Sequence, residues 1–200
     1  MLDKRVTLLI IVSLILIATF AFIFYGAPNN FERNGVEIIS YSDDLIQVLD
    51  SYRSNDDFLL IFDFKENDAL NNYMFNSMLT PAVVLSAHDK NAITFLKVVG
   101  ADSELLSCSS NLGDYKSEIN FSAEECTAFL ESSDAVKIIL KRPLNSLPKP
   151  QIELYENEIY LTPTDYTNIR DVTFTFAELL YTDAETIVSQ SNDLIHQLGA

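Results

Sequence analysis

The chain of 200 residues has no tryptophan, five glycines, two histidines and two cysteines. With so few glycines, it contains neither the G-x-G-x-x-G fingerprint of dinucleotide binding nor a Walker phosphate loop. No G-x-S-x-G elbow is present, the histidines and cysteines lack zinc-like spacing, and the acidic pairs lack the spacing of a calcium loop. The sequence therefore predicts no cofactor and no metal site, and it identifies no catalytic residue.

Positive charge is also scarce. The chain has 13 lysines and arginines against 29 aspartates and glutamates, which gives a formal net charge of −16. A surface this acidic repels the phosphate backbone of nucleic acids, but it attracts cations and basic partners. We therefore predict no nucleic-acid partner. The rest of the composition is that of a folded domain, because 48% of the residues are hydrophobic.

The hydrophobic run from Val6 to Tyr25 contains no charged residue. A helix of about 20 residues crosses the roughly 30 Å hydrocarbon core of a bilayer. Lys4 and Arg5 precede the run, so the positive-inside rule places the N-terminus in the cytoplasm and the bulk of the chain outside the membrane. The predicted divisions are a tail at 1–5, a transmembrane helix at 6–25, a linker at 26–35 and an extracytoplasmic domain at 36–200.

A cleaved secretory signal is the main alternative to a retained anchor. The apolar stretch of a signal is usually shorter than this run, and Pro28 directly after Ala27 makes a poor cleavage site. A pilin-like leader would need a small residue at the junction, where Val6 follows Arg5. The retained anchor is therefore the preferred interpretation, and both main interpretations carry the domain across the membrane.

Cys108 and Cys126 are the two cysteines of the chain. An oxidising compartment favours their pairing, and a disulfide there would add about 3 kcal/mol to stability by restricting the unfolded chain. Two separate buried thiols are the alternative interpretation.

Alternating strand and helix patterns predict an α/β domain. Strands are expected at Val36–Tyr41, Phe58–Phe64 and Ile93–Val99, and the nearly wholly apolar Phe58–Phe64 is typical of a central strand that is covered on both faces. The β-α-β-α-β connections are long enough for crossovers between parallel strands, which favours a Rossmann-like three-layer core. Within this arrangement, we expect Ser42 to be the N-cap of the helix that follows the first strand.

The later part of the chain is expected to complete this domain. Pro81 either separates two consecutive helices, with Thr80 as N-cap, or kinks a single helix. Residues 101–121 are expected to be irregular, and Ser122 with Glu125 has the spacing of a capping box. The remaining predicted elements are a strand at Ala135–Lys141, a hairpin of Gln151–Tyr155 and Glu158–Thr162, and two C-terminal helices at about 165–181 and 183–198.

Parallel α/β sheets bind ligands at the carboxyl ends of their strands. This rule favours a set of residues at predicted strand ends: Tyr41, Ser42, Asp43, Asp63, Lys65 and Gly100. Of these, Asp63, Lys65 and Asp43 are the candidate ligand-binding residues. A phosphotransferase aspartate would need a second carboxylate two residues later, where this chain has Lys65. His88 and His196 are expected to have structural roles.

The absence of catalytic motifs favours a non-catalytic interaction module in a cell-envelope assembly, anchored through the N-terminal helix, with a protein partner or further copies of itself. An extracytoplasmic hydrolase or a small-ligand sensor that uses the crevice at the strand ends is the alternative.

Overall fold

The computed structural model describes residues 29–42, 44–65, 68–100, 104–111, 118–183 and 185–186. The predicted tail at 1–5 and the predicted transmembrane helix at 6–25 lie outside these ranges, as do Asp43, His196 and most of the second predicted C-terminal helix. None of the helices that the structure describes combines the length and the hydropathy needed to cross a bilayer.

The described residues form an α/β fold with one mixed sheet of nine strands and four helices. The strands are β1 (Asn29–Arg33), β2 (Val36–Ser40), β3 (Asp57–Phe64), β4 (Asn91–Val99), β5 (Leu105–Asn111), β6 (Glu118–Ser122), β7 (Val136–Leu140), β8 (Gln151–Leu154) and β9 (Glu158–Thr162). The helices are α1 (Leu45–Ser54), α2 (Leu70–Ala87), α3 (Ala123–Ser132) and α4 (Ile169–Leu180). Across the sheet, the strand order is β1-β2-β8-β9-β7-β3-β4-β5-β6.

Strand directions confirm one part of the expected parallel core and correct another. Strands β9, β7, β3 and β4 are parallel to one another, as expected for β3-α2-β4. Strand β8 is antiparallel to β9, and β2 is parallel to β8, so that β2 runs opposite to β3. The Rossmann-like expectation for β2-α1-β3 is therefore wrong. The β8–β9 hairpin and β7 lie between β2 and β3, and no local pattern in the sequence specifies that insertion.

The first face of the sheet is covered by α1, α2 and α4. Alternate residues of β2, β3, β7, β8 and β9 point to this face, and they form the main hydrophobic core with the three helices. The buried strand residues are Val36, Ile38, Phe58, Leu60, Phe62, Val136, Ile138, Leu140, Ile152, Leu154, Ile159 and Leu161. This face is apolar across its whole width from β2 to β3.

The second face changes from mainly polar to apolar along a single row of paired residues. Starting from β2, the row consists of Ile39, Glu153, Tyr160, Ile139, Ile61 and Phe95. From Ile139 onward the side chains pack into a second hydrophobic cluster beneath α3, in which Leu59, Ile61 and Phe95 are buried. Before Ile139 the row is mainly polar. The prediction that β3 is covered on both faces is confirmed, and the same face is helix-free over the strands on the other side of β7 within the described residues.

The structure contains the disulfide between Cys108 and Cys126, as predicted. The two Cα atoms are 5.9 Å apart, the cysteines are 18 residues apart in the sequence, and both are buried. Cys108 lies in β5 and Cys126 in α3, so the bridge fastens the helix to the second face of the sheet. The expectation that residues 101–121 are irregular is wrong for β5 and β6. The serine-rich β5 lacks the apolar pattern of a strand, whereas β6 alternates polar and apolar residues over only five positions. A disulfide is consistent with an oxidising, extracytoplasmic location.

The polar linker expected at 26–35 contains an additional edge strand. Residues Asn29–Arg33 form β1, which pairs antiparallel with β2. Asn34 and Gly35 connect the strands with φ angles of 53° and 77°, which are the left-handed conformations that a tight hairpin turn requires. Arg33 Nε lies 3.3 Å from Glu178 Oε2 of α4, so the helix holds the hairpin in place.

The predicted helix boundaries agree with the structure at one position and differ from it at two others. The capping box of Ser122 and Glu125 is present at the start of α3. The N-cap of α1 is Asp44 rather than Ser42, and its carboxylate accepts hydrogen bonds from the N–H groups of the first turn. Helix α2 continues through Pro81 as one helix, so the interpretation as two consecutive helices is wrong.

Candidate functional site

No described helix packs over the second face of β2, β8 and β9, and we call this area, together with the flanking Lys137 and Lys141, the open half-face. Strand alternation places polar and aromatic side chains there, opposite the main core. Its principal residues are Glu37, Tyr41, Lys137, Lys141, Gln151, Glu153, Tyr155, Glu158 and Tyr160. Such a surface differs from an ordinary solvated strand face because three tyrosines are grouped within it.

Tyr155 contacts both Tyr41 and Tyr160, and we call this group of three the tyrosine platform. The rings of Tyr41 and Tyr155 are stacked, with centroids 4.5 Å apart and an interplanar angle of 10°. The rings of Tyr155 and Tyr160 meet edge to face at 5.5 Å and 87°. Both arrangements are favourable for aromatic pairs. Tyr41 and Tyr155 remain 52% and 36% exposed, so the platform presents aromatic surface to solvent.

Charged side chains surround the tyrosine platform and hold two of its phenols. Tyr41 donates a hydrogen bond of 3.2 Å to Glu153, whose other carboxylate oxygen lies 3.7 Å from Lys141 Nζ. The same ammonium lies 4.1 Å from the ring centroid of Tyr160, within the range of a cation–π interaction. The platform therefore already binds one cation, which belongs to the chain itself.

The phenols of Tyr155 and Tyr160 stay neutral at physiological pH. Partial burial and a 2.6 Å hydrogen bond to Glu158 raise the pKa of Tyr160 to about 12. Partial burial is also the main cause that raises the pKa of Tyr155, followed by hydrogen bonding with Tyr41. The rings consequently act as neutral aromatic surfaces and hydrogen-bond donors, and the charge of the site comes from its carboxylates and lysines.

Helix α1 positions the turn that carries Tyr155. The buried phenol of Tyr52 donates a hydrogen bond to the carbonyl oxygen of Tyr155, and burial raises the pKa of Tyr52. Tyr155 N–H in turn donates to the Glu158 carbonyl across the β8–β9 turn at 2.9 Å. The platform is thus built on a fixed backbone rather than on a long loop.

Two adjoining cavities open on either side of Tyr155. The first has a volume of about 490 Å³ and is lined by Tyr41, Ser42, Gln47, Val48, Ser51, Tyr155 and Glu156. The second has a volume of about 740 Å³ and is lined by Lys137, Lys141, Glu153, Tyr155, Glu156, Asn157, Glu158 and Tyr160. Both share Tyr155 and Glu156, so a bound chain can follow the surface from one cavity into the other.

The predicted ligand residues Asp63 and Lys65 lie at the opposite edge of the sheet. Asp63 Oδ1 is 3.8 Å from Lys97 Nζ, and the Asp63 side chain is 40% exposed. The side chain of Asn71 binds both backbone groups of Lys65: its oxygen accepts from the N–H at 3.1 Å, and its amide donates to the carbonyl at 2.6 Å. The loop that follows β3 is therefore fixed by a side chain of α2.

Arg142, which the sequence analysis did not identify, links the end of β3 to the start of the segment that leads into α2. Its guanidinium donates to the Asp63 carbonyl at 3.1 Å and forms an ion pair with Asp68. Arg142 and Asn71 thus fix the backbone at Asp63 and Lys65. The third candidate, Asp43, lies outside the described residues, and its neighbours Ser42 and Asp44 follow the carboxyl end of β2. Because β2 runs opposite to β3, the carboxyl ends of these two strands lie at opposite ends of the sheet.

His88 occupies a structural position, and His196 lies outside the described residues. Among the described residues, no group of three or more histidine, cysteine or acidic side chains is arranged to hold a metal ion. His88 lies at the end of α2, where its ring stacks on Tyr181 at 3.6 Å and its Nε2 is 3.1 Å from Asp183. These contacts join the end of α2 to the segment that follows α4.

Sequence reasoning predicted the β8–β9 hairpin but did not identify the tyrosine platform on it. The alternation of Ile152, Leu154, Ile159 and Leu161 predicted one buried face, and the complementary residues of the same strands include Tyr155 and Tyr160. That complementary pattern was the available signal. Tyr41 joins them through a strand pairing that spans more than half of the chain, which no local pattern predicts.

Comparison with known proteins gives no match for this chain. No family model, no curated protein and no solved structure matches it.

Proposed function

We propose that this chain is a single-pass membrane protein whose acidic α/β domain lies outside the cytoplasm as a non-catalytic interaction module of a cell-envelope assembly. The observation that carries the proposal is the open half-face with its exposed tyrosine platform. Tyrosine is enriched at protein interfaces because its ring contributes contact area and its phenol contributes a hydrogen bond. Exposed aromatic groups rimmed by polar residues are typical of interaction surfaces.

The location in this proposal rests on the N-terminal sequence and on the disulfide. The uncharged run at 6–25 has the length of a membrane anchor, and Lys4 and Arg5 orient it with the N-terminus inside. The Cys108–Cys126 bridge requires an oxidising compartment to persist. If protease added to intact cells left the domain undigested while lysed cells released it to digestion, this location would be wrong.

Site-specific photo-crosslinking in intact cells tests the interaction itself. A photoreactive phenylalanine analogue replaces Tyr155 in the full-length chain, and a second variant carries it at Tyr166. Tyr166 is the matched control because it is 62% exposed and also contacts another tyrosine, but it lies outside the open half-face. The proposal expects a discrete heavier adduct from position 155 that position 166 does not give. Identical patterns at both positions, or monomer alone at both, would contradict it.

An extracytoplasmic hydrolase or a small-ligand sensor at the carboxyl ends of the strands is the second candidate. The observation in its favour is the partly exposed Asp63 carboxylate beside Lys97, close to Lys65. Screening the full-length chain against ester, phosphate and peptide substrates should then reveal turnover that Asp63→Asn abolishes, and a metabolite panel should raise the melting temperature. Absent turnover, or turnover that Asp63→Asn leaves unchanged, would remove the hydrolase, and an unaltered melting temperature would remove the sensor.

A further inference from the structure

We infer that the tyrosine platform and Glu156 form a docking site for a partner segment that presents arginine or lysine side chains. This inference rests on the proposed function and names the chemistry of the partner. The rings, the charges and the two cavities of this surface all favour the same class of side chain.

The charge of the open half-face is complementary to a cationic segment. Four carboxylates border the two cavities and the adjoining strands, namely Glu37, Glu153, Glu156 and Glu158, and they face two lysines, Lys137 and Lys141. Glu153 and Glu158 each have a lysine within 3.7 Å. Glu156 is exposed and pairs with no cation among the described residues. A negative charge therefore remains next to Tyr155, at the point that both cavities share.

The aromatic geometry supports the same ligand. The contact between Lys141 and the ring of Tyr160 shows that this surface holds an ammonium over a tyrosine face. Tyr41 and Tyr155 are the more exposed members of the platform, and their rings are available for a second cation. Arginine suits such a site best, because its planar guanidinium stacks on an aromatic ring while it donates hydrogen bonds to a carboxylate.

Two other occupants fit the surface less well. A second copy of the chain also carries a net charge of −16, so its approach is opposed by repulsion between the two copies. The C-terminal residues 187–200 contain neither lysine nor arginine and cannot supply the cation. A basic segment of a different protein remains the occupant whose charge the surface complements.

Peptide binding to the detergent-solubilised full-length chain tests this inference. The probe is a short labelled peptide in which arginine alternates with serine, and the matched peptide carries citrulline, the neutral analogue of arginine, at the same positions. Fluorescence anisotropy should show binding of the arginine peptide that weakens as the ionic strength rises. The citrulline peptide should bind more weakly by more than tenfold. Equal binding of the two peptides, or no binding of either, would overturn the inference.

Two pairs of variants locate the peptide. Tyr41→Ser and Glu156→Gln should each weaken binding of the arginine peptide by about two- to fivefold, because each removes one exposed cation contact. Tyr166→Ser and Glu131→Gln remove an exposed ring and an exposed carboxylate elsewhere, and they should leave the affinity unchanged. If all four variants weakened binding equally, the attraction would be general to the acidic surface and the docking site would be wrong.

The crosslinking experiment separates failure of this inference from failure of the proposed function. If the arginine peptide occupies the tyrosine platform, adding it to opened membranes should suppress the adduct at position 155, whereas the citrulline peptide should not. An adduct that persists at saturating arginine peptide would retain the interaction module but exclude a basic partner segment. Absence of the adduct in untreated cells would instead contradict the proposed function.

Discussion

The two halves of the second sheet face differ in what covers them. Over β3, β4 and β5 the face is apolar, lies beneath α3 and is fastened by the disulfide. Over β2, β8 and β9 the same face carries tyrosines and carboxylates, and no described helix packs on it. Strand β7 forms the boundary, because its Ile139 belongs to the covered cluster while Lys137 and Lys141 line the neighbouring cavity.

This difference is already present in the residue patterns of the strands. Strand β3 is almost continuously apolar, since both of its faces are buried, whereas β8 and β9 alternate between apolar and polar residues. The hydrophobic effect therefore explains the covered half completely. On the open half, the hydrophobic effect explains only the apolar side of each strand. We attribute the grouping of tyrosines on the other side to the binding of a partner.

The largest expected difference between the halves is in the response to losing an aromatic ring. Phe95 and Tyr160 lie in the same row across the sheet, but Phe95 is fully buried and stacks on Phe129 at 5.5 Å. Phe95→Ala should lower the free energy of unfolding by about 3–5 kcal/mol, because it leaves a cavity beneath α3. Tyr160→Ala should cost clearly less. Urea unfolding followed by tyrosine fluorescence measures both, and equal losses would contradict the division into two halves.

The disulfide gives the second-largest effect on the covered half. The double substitution Cys108→Ala and Cys126→Ala should lower the free energy of unfolding by about 3 kcal/mol, because the unfolded chain gains conformational entropy. The wild-type chain unfolded in the presence of a reductant should show the same loss. A decrease below about 1 kcal/mol would mean that packing under α3 holds the helix without the bridge.

Local patterns predicted the elements of both halves better than their arrangement. The apolar run of β3, the alternation in β8 and β9 and the capping box at Ser122 each express a physical requirement within a few residues. The pairing of Cys108 with Cys126 could be predicted because the chain offers no other partner. Strand β1 had the hairpin signal Asn34-Gly35, which the expectation of a polar linker obscured.

The arrangement could not be predicted, because it depends on long-range pairing. Nothing near Val36 indicates that β2 pairs with β8 across more than a hundred residues, and that pairing reverses β2 relative to β3. It also separates Ser42 from Asp63, which a parallel arrangement would have brought to one edge. The serine-rich β5 is stabilised by neighbours on both sides and by Cys108 rather than by its own pattern. The tyrosine platform was missed for the same reason, since Tyr41 reaches it only through β2.

Tyr52 links the core to the open half-face, and its ionisation should make stability fall at alkaline pH. Burial raises its pKa above the ordinary tyrosine value of 10.0, so the folded state favours the neutral phenol. That contribution is complete below pH 10 and is lost as the pH rises above it, at up to about 1.4 kcal/mol per pH unit. Tyr52→Phe should cost about 1 kcal/mol at pH 8, through the lost hydrogen bond to Tyr155.

Urea unfolding of both chains at pH 8 and at pH 11 checks this prediction. The stability difference between the wild type and Tyr52→Phe should disappear or reverse at the higher pH, because only the wild type must keep a buried phenol neutral. A difference that stays constant between the two pH values would show that Tyr52 does not contribute to the alkaline loss.

The smallest expected effect on stability belongs to the charges of the open half-face. Glu153 accepts from Tyr41 and lies 3.7 Å from Lys141, yet both contacts are near solvent. Glu153→Gln should therefore lower the free energy of unfolding by only about 0.5 kcal/mol, as is usual for exposed ion pairs. Urea unfolding beside Glu131→Gln as the control measures this loss. A cost near that of Phe95→Ala would mean that these charges hold the fold together, and the grouping of tyrosines would then need no partner to explain it.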